Sequence, residues 1–135
     1  MQGNNDDLGK LVVRATLAIM ILFHGVSKLM TGVDPIVSML GKAGLPGAFA
    51  YLVYIGEVIA PLMILLGIWA RLGAVIVAIN MIVAVALAHG AQFFTLSKTG
   101  GWTLELQGFY FFIALAVALM GAGRYSMAGS SGKWN

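Results

Sequence analysis

Four runs of about 20 predominantly apolar residues, each long enough to cross the hydrocarbon core of a bilayer, occupy most of this chain. They extend roughly over residues 11–30 (LVVRATLAIMILFHGVSKLM), 48–70, 72–89 and 106–123. Of the 135 residues, 60% are hydrophobic and 10% charged, whereas soluble domains average about 45–50% and about 25%. A chain this small cannot hide so much apolar surface from water, so lipid must cover it. In lipid the backbone has to satisfy its own hydrogen bonds, which favours helices. The expected fold is therefore all-α, an integral membrane four-helix bundle. Pro35 and Pro46 bracket a short amphipathic piece between spans 1 and 2, expected to lie in the interface. The expected organisation is a polar N-terminal segment (1–10), a four-span membrane domain (11–124) and a flexible polar tail (125–135). The opening MQGNNDDLGK lacks the basic flank of a signal peptide, so the first run is expected to be retained.

Composition also excludes chemistry. There is no cysteine, which removes thiol redox, cysteine-ligated iron–sulfur clusters and covalent c-type haem. The net charge of +3 comes from eight Lys/Arg spread singly along the chain, so no basic patch for nucleic acid forms. No GxGxxG follows a strand pattern, and no metal-ligand cluster is read. Lys10, Arg14, Arg71, Arg124 and Lys133 fall on the side of the termini, while Lys28, Lys42 and Lys98 fall on the other. Positive residues favour the cytoplasm, which places both termini inside.

The stretch LVYIGEVIAPLM sets the acid Glu57 in the middle of the second span and Pro61 four residues later. Glu57 lies about 14 Å below the outer end of its span, near the midplane. An intramembrane charge must face the bundle interior, be protonated or be paired. Pro61 lacks an N–H and so frees the carbonyl of residue 57 itself. His24 and Lys28 lie one turn apart on the first span, His89 closes the third, and Glu105 opens the fourth. All belong to the outer half. Glu57, His24 and His89 are the candidate catalytic residues, with proton-transfer and ligand-binding roles. Tyr54, Lys28 and Glu105 are the weaker cofactor-binding candidates. Competing readings are structural. Glu57 could lock the bundle, His24 could bond a carbonyl, and Lys28 could snorkel to the headgroups. Arg14, Arg71 and Arg124 are expected as inner-surface anchors, and Asn80 as an interhelical hydrogen bonder. An ideal helix would set Asn80 and His89 on opposite faces. Gly56 and Ala60, in small-xxx-small spacing, should let a neighbouring helix approach.

GVSKLMTG, KAGLPG, IGEVIAPLMILLGIWAR, LAHG and GAGRYS, in this order and spacing, resemble the DoxX family over about 11–126. Met127 and Ala128 depart from an aliphatic–aspartate pair common after the serine in that family. The resemblance implies a four-helix bacterial inner-membrane protein. Some relatives are subunits of thiosulfate:quinone oxidoreductases, and others anchor complexes that handle oxidative or thiol stress. Lys28, Glu57, Arg71 and His89 match its recurrent polar positions.

Three functions stay open. In a quinone-linked oxidoreductase subunit, His24 and His89 would bond the quinone carbonyls and Glu57 would pass protons, with a partner protein supplying electrons. A small-solute or proton transporter is the second, though no inverted repeat is found and a pore would call for a homo-oligomer. A non-catalytic anchor or assembly protein is the third. Haem b held by His24 and His89 is disfavoured, because their depths differ by about 9 Å.

Overall fold

The computed structural model of the protein describes residues 2–135. Those residues are helical, apart from turns, loops and one isolated antiparallel bridge between Leu96 and Trp102. Helix α1 spans Gln2–Thr31 and α2 spans Asp34–Lys42. Helix α3 covers Gly47–Leu66, α4 covers Ala70–Gln92, and α5 covers Glu105–Met120. Helices α1, α3 and α4 are long and apolar enough to cross a membrane, and α5 is a shorter apolar helix. Each of the four packs on the next in the chain, and α5 closes the ring on α1. The short α2 lies over the first turns of α3 and the last turns of α4. The expected bundle and its short helix between spans 1 and 2 are thus present.

Why these helices pack follows from their small residues. In lipid, apolar surface alone does not drive helices together, so close backbone approach has to. Ala18, Ala60, Ala74 and Ala114 are fully buried and interleave with Leu17, Ile21, Ile64, Val77 and Val117. At Gly73 of α4 a Cβ would stand 2.9 Å from the carbonyl oxygen of Ala60 on α3. Large apolar side chains face outward instead, among them Phe23, Met30, Ile79, Phe112 and Leu119. The apolar exterior suits lipid.

Boundaries differ from the sequence expectation in physically informative ways. The polar segment 2–10 continues α1 as helix, which makes α1 30 residues long. Helix α3 stops before the expected 70, because Gly67 takes a left-handed φ of 72° and the N–H groups of Gly67 and Ile68 both donate to Met63 O. Such a left-handed glycine satisfies the helix's orphan carbonyls and reverses the chain. The segment 121–135 is irregular, and its last residues dock on the bundle. Asn135 Oδ1 accepts from Ala70 N at 3.0 Å and Trp134 O accepts from Arg71 N at 2.9 Å. They fill donors that the first turn of α4 would otherwise leave empty.

Two of the three expected arginine anchors have other work. Arg14 is only 1% exposed. Its guanidinium donates to Ile64 O (2.9 Å) and Leu65 O (3.1 Å) at the end of α3, and to Ala122 O (2.7 Å) and Tyr125 O (3.0 Å) beyond α5. It is a buried clamp on two chain reversals, because helix ends present unpaired carbonyls that a planar fork can reach. Arg71 donates to Ala118 O and Leu119 O, at 3.0 and 2.9 Å, in the last turn of α5, where a cation also complements the helix dipole. Arg124 is exposed and lies at the terminal end, bonded to Asn4 and to the hydroxyl of Tyr125.

Candidate functional site

The end of the bundle remote from the termini carries the polar groups. Helix α3 is regular only from Ala60 onward; Gly47–Leu52 is a 3-10 turn and Ile55–Ile59 a π turn. Pro61 accounts for the break, since it supplies no N–H to the turn before it. A π turn widens the helix and re-aims its side chains. It turns Glu57 inward, where it is 6% exposed. The carbonyl of residue 57 faces α1 at Gly25, where any Cβ would collide with it. Gly25 was not singled out from the sequence; its place in the GVSKLMTG segment, opposite an acid on another helix, gave no signal.

Lys28 closes on Glu57. Its Nζ lies 2.8 Å from Oε1 and 2.8 Å from Oε2. The expectation that Lys28 reaches for the headgroups is thereby corrected: its ammonium turns inward because a carboxylate in a low-dielectric interior offers more than water at the rim. The side chain stays 28% exposed, against 8% for Glu57, so the pair is more open on the lysine side. The Tyr54 hydroxyl donates to Lys28 O at 3.1 Å and fastens the last turn of α1 above the pair.

The Lys28–Glu57 pair lines a cavity of about 930 Å³ between the helices. Its polar wall comprises His24, Lys28, Glu57, Asn80, His89, Gln107 and Tyr110, and the remainder is mostly aliphatic. His24 stands edge-on to the ring of Tyr110, with centroids 6.0 Å apart. Asn80 packs its amide on the bare backbone of Gly56, where a Cβ would stand 2.5 Å from Oδ1; the expected close approach at Gly56 is made. Asn80 and His89 share the cavity despite their expected opposition, because α4 passes through its own π turn at Val85–His89. Such a turn advances fewer degrees per residue than an α turn. His89 Nδ1 lies 2.9 Å from Gln92 Oε1. Tyr54 stands behind the cavity rather than in its wall, and Glu105 lies off it, with its carboxylate over Gly101. Of the six sequence candidates, His24, Lys28, Glu57 and His89 therefore come together. Asn80, Gln107 and Tyr110 join them.

Chemically the wall offers an ammonium, a carboxylate, two imidazoles and a phenol within a hydrocarbon frame. Such a frame suits an amphipathic molecule with polar atoms at one end. A multi-pass helical membrane protein with an intramembrane ion pair on a polar cavity is the class these observations define. The DoxX family matches residues 9–90, which take in α1 to α4 and every charged residue of the cavity. The chain belongs to the DoxX family. It is also similar to "Putative oxidoreductase CatD" of Bacillus subtilis (strain 168), with 29% identity over 79 residues, 58% of each chain. The chain thus matches a little over half the length of that relative. No solved structure matches.

Proposed function

We propose that this protein is the membrane subunit of a quinone-linked oxidoreductase complex, with the polar cavity as its quinone site. One observation carries the reading: an acid–base pair and two imidazoles converge on a single, mostly apolar cavity between the helices. Reduction of a quinone to a quinol takes two electrons and two protons. A partner protein supplies the electrons, in keeping with the oxidoreductase name of the Bacillus subtilis relative. His24 and His89 hold the two carbonyl oxygens, and the Lys28–Glu57 pair delivers protons to them. The complex sits in the bacterial inner membrane with both termini cytoplasmic, alone or as a homo-oligomer.

The test compares wild type with Glu57→Gln, each purified gently from native membrane. Quinone should be enriched over bulk lipid in the wild type, and both quinone and quinone-dependent turnover should be lost in the variant. Equal quinone content and unchanged turnover would sink the mechanism. A second reading, a non-catalytic anchor, is favoured by the completeness of the ion pair, in which both carboxylate oxygens already have a partner. On that reading Glu57→Gln alters stability or partner recovery and leaves redox turnover untouched.

A further inference from the structure

A second cavity, of about 410 Å³, lies between α4 and α5 under the loop that joins them. It differs in kind from the first. Val85, Leu104, Phe111 and Phe112 form its sides, and Phe93 with Trp102 form its roof. The roof is fixed: Trp102 Nε1 donates to Phe93 O at 2.7 Å and the two rings meet edge-on, 5.6 Å apart. Gly108 makes the floor beneath the indole possible, since a Cβ there would stand 2.7 Å from the ring. No ionisable side chain borders this chamber.

The two chambers adjoin. Met81, Ile82, Ala86 and Gln107 line both. The shared wall is apolar except for Gln107, which stands at the boundary. The paired space therefore has one compartment with titratable groups and one made of hydrocarbon and aromatic faces. That partition matches a single ligand with a redox head and a flexible apolar tail.

The geometry points to the aromatic-roofed chamber as the seat of the isoprenoid tail of the quinone, its head lying beside Lys28 and Glu57. This inference rests on the quinone reading and specifies its ligand as a tailed, lipid-soluble quinone. In a bilayer the surrounding lipid is as apolar as the chamber, so area burial gives little net pull. Packing against Trp102, Phe111 and Phe112 has to supply the preference. The expected signature is therefore the position of the tail rather than a large gain in affinity.

The experiment places full-length protein in nanodiscs in a Trp69→Phe/Trp134→Phe background, which leaves Trp102 as the reporter. A quinone with a bromine-bearing tail is compared with its bromine-free homologue, at a mole fraction too low for random encounters in the lipid to quench. Retention of each quinone is measured in parallel. The expected result is stronger quenching of Trp102 by the brominated tail. Val85→Phe, which fills the chamber, should abolish the difference while the quinone is still retained. Retained quinone with no difference between homologues overturns the tail assignment and leaves the quinone site standing. A difference that survives Val85→Phe overturns it as well. If neither homologue is retained, the quinone reading falls and takes the tail with it. The comparison of the two quinones in the Trp102-only background decides the question even if Val85→Phe fails to fold.

Discussion

Lys28 and Glu57 owe their pairing to the solvent they avoid. Two charges in lipid are expensive separately, and a 2.8 Å contact to both oxygens recovers most of that cost. The two partners differ in exposure, so their removal should not be symmetrical. Lys28→Met strands a carboxylate whose side chain is 8% exposed, at a cost of about 3–5 kcal/mol. Glu57→Gln strands an ammonium that is less enclosed and should cost less. The double change Lys28→Met/Glu57→Leu should lie close to wild type, because hydrophobic replacement of a whole pair is often neutral. Unfolding of the three variants in mixed micelles checks the order; equal losses for the two single changes would contradict it. Glu57 was legible in the sequence, since an acid inside LVYIGEVIAPLM demands a partner. Which partner was not legible, because it depends on the rotation of α1 against α3. Arg14 misled for the same reason. It sits near the start of an apolar run, and only the arrival of two distant helix ends makes that position an interior one.

At the level of the helix, the π turn at Ile55–Ile59 governs the site. It presents Glu57 to α1 and holds the carbonyl of the same residue against Gly25. Pro61→Ala restores an N–H to the helix and lets the preceding turn relax toward ordinary α geometry. The variant should fold at least as stably, yet carry Glu57 away from Lys28. A nitrogen–carbon dipolar coupling between Lys28 Nζ and Glu57 Cδ, measured by solid-state NMR, should weaken; an unchanged coupling would show that Pro61 does not set the aim. The proline's disruption could be read directly from the sequence. Its form could not, because a kink and a π turn both accommodate the same missing donor. The second π turn, at Val85–His89, had no proline to announce it, so the angular argument that separated Asn80 from His89 missed it.

As a whole, the molecule is a ring of four helices with polar chemistry at one end and backbone clamps at the other. The four apolar helices were legible from hydropathy and length, and the short helix from the prolines that bracket it, although only three of the four are long enough to cross a membrane. The docking of Asn135 was not, since polar residues after a last span carry no mark of a contact. The proposed orientation, termini inward, keeps a charge bias once the buried Arg14 and the paired Lys28 are set aside. Lys10, Arg71, Arg124 and Lys133 remain at the terminal end, against Lys42 and Lys98 at the other. The absence of cysteine makes a clean background for testing this. Thr99→Cys should react with an impermeant maleimide from outside intact spheroplasts, and Ser131→Cys only after lysis; the opposite pattern would invert the molecule. Arg14 adds an ordering in time. Its helix leaves the ribosome well before Ala122 and Tyr125, which accept its hydrogen bonds and lie 108 and 111 residues later. The first span must therefore enter the membrane with a guanidinium still waiting for its acceptors. Until that later segment emerges, the nascent chain carries an uncompensated cation.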